Sequence, residues 1–348
     1  MIKIKNNRVI IMSLAIPPKI WEILKAIPFS LTASEIAKKS GISYNSVIWF
    51  LKNHRKNYVI GSEFDYRRMG LIPLVVLSRF ESNTIKLPPY TFSVSEVSSY
   101  KKILMYRALI PEDFISNYLR DLDSDIFAVI KGYELLRWFP FSKLTTYIKQ
   151  SETIEPLVSK IYEVYNEVAS QRVSTMTKRE KIDLIDLYII LDKLKFSYTK
   201  LSETLKTLRQ RVNPRITKQL VSYHFNRHVK PLWKYNYVML LQDVNTYPIR
   251  AYYFEGKDAE TLGRLLVHLP YMLLSFIDIG KSLVVAQPPP HMEYLIYDIV
   301  SMFDVRMPLG EMLMHTSRIS KYKADLMCLY MDNKWIYPRI VKKVKIMK

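Results

Sequence analysis

The chain has 348 residues, 49% of them hydrophobic, enough for two or three cored domains and incompatible with a disordered chain. Its formal charge of +20, with a pI near 9.7, exceeds what solubility needs and points to phosphates or anionic membrane surfaces. A single cysteine, Cys328, excludes a disulfide framework and a Cys-rich zinc site, and agrees with a reducing cytosol.

Lys3, Lys5 and Arg8 precede an apolar run at 9–16 in the manner of a signal peptide, but the run is short and meets Pro17 and Pro18. It is expected to be a first strand or helix packed on its domain. No other stretch approaches the roughly 18–20 apolar residues a membrane span needs, so no membrane partner and a cytoplasmic location are expected.

Residues 19–26 begin a helix, and Pro28 interrupts. A second helix spans 31–40, with Thr32 as N-cap and Glu35 three residues later as a capping box. Gly41 makes the turn, and Ser43 caps a third helix whose Val47, Leu51 and His54 recur at helical spacing and face inward. A strand at 58–64 and a charged turn at 65–68 complete a winged helix-turn-helix. Strands then follow at 71–80, 94–100 and 102–110, a helix at 111–122 with Pro111 in its first turn, and a last strand at 126–138. This order predicts a small sandwich of the ferredoxin-like kind. Leu157, Ile161, Val164 and Val168 mark a helix at 152–173 long enough to bridge domains, with a hinge at 174–177.

The second half repeats the order. Thr177 and Glu180 form a capping box for a helix through Leu194; helices at 201–208 and from Thr217 flank a turn containing Pro214, and 241 closes a wing strand begun at 237. A strand at 249–254, helix at 259–268, strands at 272–279 and 282–286, helix at 291–303 and strand at 306–318 follow, a βαββαβ order. Segment 42–56 returns 174 residues later as 216–230, with Ile42/Ile216, Val47/Val221, His54/His228 and Lys56/Lys230 identical. Leu87, Pro88, Pro89 and Tyr90 align with His268, Leu269, Pro270 and Tyr271, and Pro111 with Pro290, giving a period of roughly 175–181.

The expected fold class is therefore α+β, two winged helix-turn-helix domains alternating with two ferredoxin-like (βαββαβ) domains. The boundaries are 1–70 and 71–150, a connecting helix and hinge at 151–176, then 177–245 and 246–340, and a frayed basic tail at 341–348.

The stretch TASEIAKKSGISYNSVIWFLKNHRK, then Val59, Ile60 and Gly61, then 65–71 leading into a hydrophobic strand, resembles the Lrp/AsnC family of prokaryotic, especially archaeal, transcription regulators. The resemblance covers about 19–140 and, more weakly, 177–325. It implies an N-terminal helix-turn-helix followed by a ferredoxin-like effector and oligomerisation domain, here present twice. Phe50 and His224 stand where the family usually has an arginine, and Tyr58 stands at its wing glycine. The family's Gly-Asp turn, part of its small-molecule site, is reduced to Gly280 in the second half and replaced by Ser99, Tyr100 and Lys101 in the first, so a small-molecule effector is left open.

A recognition helix sets its first two turns in the major groove, polar side chains meeting base edges and basic ones fixing the backbone. In the first copy the candidates are Ser43, Tyr44, Asn45, Ser46 and Trp49, with Lys52, Arg55 and Lys56 toward phosphate. In the second they are Arg215, Thr217, Lys218, Gln219, Ser222 and Tyr223, followed by Asn226, Arg227 and Lys230. Asn45 and Gln219 are equivalent, and each suits a bidentate contact to adenine worth about 1–3 kcal/mol of discrimination. Nine Lys or Arg against one Glu in 200–234, and five against one in 34–60, argue against merely solvated faces.

His54 and His228 read as half-buried structural residues. His224 and His228 lie on one helical face at a metal-sharing spacing, but no Glu or Cys nearby in sequence completes a set, so no metal is assigned. With no phosphate-binding glycine loop and no Ser/His/Asp or Cys/His arrangement, the chain is expected to need no cofactor and to be no enzyme. The expected function is a sequence-specific transcription regulator on double-stranded DNA, acting as a homodimer or an intramolecular pseudo-dimer. The competing readings are a non-specific architectural DNA-binding protein and a winged-helix protein-interaction adaptor.

Overall fold

The computed structural model describes residues 4–5, 8–9, 14–53, 57–81, 84–321, 326–338 and 341–345. It begins with a two-stranded ladder, β1 (Ile4–Lys5) and β2 (Arg8–Val9), and a first head of α1 (Pro18–Ala26), α2 (Ala33–Ser40) and α3 (Tyr44–Asn53). Pro18 occupies the first turn of α1, where a missing N–H costs nothing. Thr32 accepts from the Glu35 N–H (3.1 Å), and the Glu35 carboxylate reaches back to the Leu31 N–H (2.8 Å). Gly41, at φ +70°, ends α2 in the left-handed conformation that a side chain would strain.

Next come β3 (Tyr58–Phe64), β4 (Ile72–Arg79), β5 (Thr84–Leu87), β6 (Thr91–Ser98), β7 (Lys102–Ile110), α4 (Ile115–Leu122), β8 (Ile126–Lys131) and β9 (Glu134–Leu136). The single strand expected at 126–138 is thus two, broken at Gly132. The long bridging helix expected at 152–173 is instead a hairpin, β10 (Thr145–Ile148) with β11 (Thr153–Pro156), and a shorter α5 (Ile161–Ala169). Its apolar stripe, Ile161, Val164 and Val168, is buried in the core as its spacing predicts.

The second head comprises α6 (Leu184–Lys195), α7 (Leu201–Arg211) and α8 (Lys218–His224), the last continued by a π-helical turn at Phe225–Val229. The cap of α6 is Asp183 with Asp186, a complete capping box, and not Thr177 with Glu180. Glu180 is engaged elsewhere: its carboxylate pairs with Arg68 (2.7 Å) and its N–H donates to the Arg68 carbonyl. Then follow β12 (Trp233–Leu240), β13 (Arg250–Glu255), α9 (Ala259–Leu266), β14 (Met272–Asp278), β15 (Lys281–Ala286), α10 (Pro290–Val300), β16 (Glu311–Lys321), a small ladder of β17 (Tyr330–Met331) with β18 (Lys334–Trp335), and β19 (Lys342–Lys345). The basic tail, expected to be frayed, supplies β19, which pairs with β5.

The molecule is α+β, dominated by one antiparallel sheet of order β8-β4-β7-β6-β16-β13-β15-β14-β9. The quartets β8-β4-β7-β6 and β16-β13-β15-β14 have the same internal order, fourth-first-third-second. Only the second carries the expected helix between its first two strands; the first has β5 there. Because β8 runs directly into β9, the two ends of the sheet are adjacent pieces of chain, and the sheet curls back on itself. Its inner face holds residues of both quartets, among them Leu77, Met105, Ile130, Tyr253, Phe276 and Met312. Tyr90 and Tyr271, aligned above, both have positive φ (72° and 64°), so the repeat extends to backbone conformation.

The expected wings are not wings. Strands β3 and β12 pair with each other, Ser62 opposite Asn236, a separation of 174. That is the sequence repeat itself, so a residue faces its own equivalent, as on a two-fold axis. The cores cross as well. The first head shares a core with α9, α10 and β13, whereas the second shares one with α4, β4 and β7. At Gly61, beside the axis, a Cβ would lie 2.2 Å from the end of the Tyr237 ring, so that ring fills the place a side chain would take. The Asn236 amide donates to the Ser30 carbonyl (2.6 Å), and its oxygen accepts from Ser62 Oγ (2.7 Å), all buried. Among the described residues, no helix is long and apolar enough to cross a membrane.

Asn236→Ala leaves the Ser30 carbonyl and the Ser62 hydroxyl unpaired in the core. Its unfolding free energy should fall by about 1–3 kcal/mol, read as a lower urea midpoint at unchanged slope, and unfolding should stay a single transition because the cores cross.

Candidate nucleic-acid interface

Each head turns one side of its third helix inward and exposes the other. In α3, Val47, Phe50 and Leu51 are buried, Phe50 against the Tyr58 ring at 5.4 Å, while Tyr44, Asn45, Ser46, Trp49 and Lys52 are exposed. Ser43 is exposed and caps: it accepts from the Ser46 N–H (3.4 Å) and shares a hydroxyl bond with Ser46 (2.9 Å). His54, Arg55 and Lys56 lie outside the described residues.

In the second head Val221 and His224 face inward, and Arg215, Thr217, Lys218, Gln219, Tyr223, Asn226, Arg227 and Lys230 face solvent. Ser222 is half-buried. Thr217 caps α8 by accepting the Leu220 N–H (3.1 Å), and Asn226 donates to the Ser222 carbonyl (2.9 Å), so both have structural duties beside any contact with a ligand. Asn45 and Gln219 hold equivalent exposed positions.

The two faces differ in chemistry. The first presents Trp49 at 57% and Tyr44 at 45% exposure; the second keeps an exposed aromatic, Tyr223, at the place equivalent to Trp49 but has Lys218 in place of Tyr44 and also exposes Arg227 and Lys230. A cationic face with no acid interspersed attracts polyanions and is screened by salt.

Behind the second face lies a group that local spacing does not reveal. Asp186 of α6, fully buried, accepts from His224 Nδ1 (2.9 Å, to Oδ1) and from His228 Nδ1 (3.0 Å, to Oδ2). The π-helical turn carries His228, and His228 is half-buried as expected; His224 is the more deeply placed. The sequence near these histidines offers no acid because Asp186 lies 38 residues before His224.

On the same helix Lys193 is buried and donates to the carbonyls of Ser197 (3.2 Å) and Thr199 (2.7 Å). Desolvation pulls its ammonium down to about 8. Two arginines also pair with acids inside the fold: half-buried Arg137 on buried Glu63 (3.1 Å), with its guanidinium over the Tyr237 ring (4.0 Å), and buried Arg264 bidentate on Glu134 (2.7 and 2.9 Å).

No family model matches the chain, and no curated protein matches it. Among solved structures it is similar to the crystal structure of the siroheme decarboxylase NirDL, with a TM-score of 0.38 and 13% identity over 85% of this chain and 90% of that one. The same protein in co-complex with an iron-uroporphyrin III analogue gives 0.37 and 12% over 86% and 91%. The expectation that the chain is no enzyme is corrected on this finding, since both neighbours are structures of an enzyme. At such TM-scores the likeness assigns this chain no activity.

The depressed Lys193 gives a pH dependence of stability. Between about 8 and the ordinary lysine value of about 10.5, the unfolded chain binds the proton and the folded chain does not, so this residue's contribution rises with pH across that window. Below about 8 both states are protonated and the contribution is flat at its least favourable. The parent should therefore gain on Lys193→Met by on the order of 1–3 kcal/mol as the pH is raised from about 8 toward 10.5, read from parallel urea titrations.

Proposed function

We propose that the chain is a sequence-specific double-stranded DNA-binding transcription regulator of the Lrp/AsnC type. Its two helix-turn-helix heads are carried by a fused pair of ferredoxin-like domains acting as an intramolecular pseudo-dimer. The observation that carries this reading is the outward placement of both third-helix faces: equivalent Asn45 and Gln219 are exposed, and Lys218, Arg227 and Lys230 stand free of the core. The net charge of +20 supports it, because phosphate contacts dominate affinity for duplex DNA. The pairing of Ser62 with Asn236 supports the pseudo-dimer, since a residue facing its own equivalent is what a two-fold interface produces, here made within one chain.

Heads held by one scaffold but bearing different residues would read unlike half-sites, so the preferred site would be asymmetric. Domain boundaries at 1–70, 71–150, 177–245 and 246–340 belong to the same proposal.

The test is selection of bound fragments from a random duplex pool, followed by fluorescence anisotropy on the recovered site. Replacing Lys218, Arg227 and Lys230 with Glu should weaken binding and lower the salt slope by about 0.9 for each phosphate no longer neutralised. Gln219→Ala should cost about 1–3 kcal/mol at one A·T position only. Unchanged affinity in the triple variant would sink the reading. Tight binding without sequence preference would favour an architectural protein instead.

A further inference from the structure

We propose that Asp186, His224 and His228 hold one divalent first-row transition cation, with Zn2+, Co2+ and Ni2+ as the fitting ions. The site lies inside the second head and stands independently of the nucleic-acid reading.

The donor geometry comes first. One donor atom from each of the three residues lies within 4.8 Å of the other two, and the nitrogen-to-oxygen separations are 2.9 and 3.0 Å. The two contacts run to different oxygens of the one carboxylate, Oδ1 from His224 and Oδ2 from His228, so both imidazoles already aim Nδ1 at Asp186. A cation held there replaces the two Nδ1 protons, and ligands bonded at about 2.0–2.2 Å to one ion sit roughly 3–3.5 Å apart.

Charge points the same way. Asp186 is fully buried, and with both imidazoles neutral the cluster would carry an uncompensated negative charge in the core, which a bound cation removes. Two imidazole nitrogens and one carboxylate are a donor set that selects transition ions over Mg2+ or Ca2+, which prefer all-oxygen shells.

The surroundings complete the site. Asp183 lies at 3.5 Å from His224 Nδ1, and its backbone N–H donates to Asp186 Oδ2 (3.0 Å), orienting the carboxylate. His228 and Asp186 also line a cavity of about 640 Å3 walled by Met69, Phe114, Arg179 and Trp335, which provides an entry path and space for water at the remaining position. Tyr223 packs edge-on against both imidazoles (5.7 and 5.5 Å), so an ion bound there would be felt at an exposed residue of the second face. The first head has Phe50 at the place equivalent to His224, and among the described residues this donor set occurs once.

The experiment strips the full-length, tag-free chain with chelator and titrates it with Co2+ alone, following visible d–d absorption. One equivalent should bind, with bands stronger than those of aqueous Co2+. His228→Gln, at a half-buried position and with its fold checked by circular dichroism, should weaken binding by more than about 100-fold, above the 10- to 100-fold typical of losing an orienting partner. His291→Gln, at a histidine beside Glu155 on another helix, should bind as the parent does. The proposal fails if no protein-bound Co2+ spectrum forms, if folded His228→Gln binds as tightly as the parent, or if His291→Gln abolishes binding.

Discussion

The architecture depends on the antiparallel pairing of β3 with β12. Where a strand pairs with its own repeat in register, one residue must lie opposite its equivalent, and here Ser62 lies opposite Asn236. Once that register is set, the heads must diverge to opposite sides and each must pack on elements of the other half. Burial enforces the register: a slip of one residue would turn Ser62 and Asn236 away from each other and bring a side chain against the space that Gly61 leaves for Tyr237. Buried charge lies close by, Glu63 on β3 with Arg137 beyond β9, an ion pair linking the strand pair to the closing edge of the large sheet. Such a pair adds little net stability, but breaking it strands a charge, so it penalises other arrangements more than it favours this one.

Closure of the nine-stranded sheet follows from the same constraint. An open sheet would leave β6 and β14 as edges with unpaired backbone groups. In this chain β6 pairs with β16, β14 pairs with β9, and the Lys131 N–H donates to Asp278 at the seam (2.9 Å). Outside this sheet, β5 pairs with β19 in a two-stranded ladder of its own. A tail carrying a run of lysines therefore has a structural role as well as a charge.

Much of this is legible in the chain. Helix periodicity places α1 to α3, and the paired Pro-Pro-Tyr and Leu-Pro-Tyr landmarks mark two turns that share a left-handed tyrosine. What sequence alone decides wrongly are choices between equally good local signals and partners distant in sequence. The Thr177/Glu180 and Asp183/Asp186 pairs satisfy the same capping spacing, and only the engagement of Glu180 by Arg68 decides between them. The strand at 58–64 has its expected bounds, but a lone strand after a helix-turn-helix reads as a wing unless its repeat is asked to be its partner. Asp186 is invisible beside His224 and His228 because a side chain in one helix meets another helix only after folding.

Inequality between the halves is the property a single chain can hold and a symmetric dimer cannot. In a homodimer any residue placed at one head is placed at both, so a buried carboxylate with two histidines would come twice. Fusion removes that constraint: the second head has His224 and Lys218, while the first has Phe50 and Tyr44 in the equivalent places. The scaffold nevertheless stays nearly two-fold, because β3, β12 and the two strand quartets must still match in length and register to close the sheet. Divergence is therefore expected where packing permits it, on the exposed third-helix faces and in the space behind them, and the differences between the heads are found there.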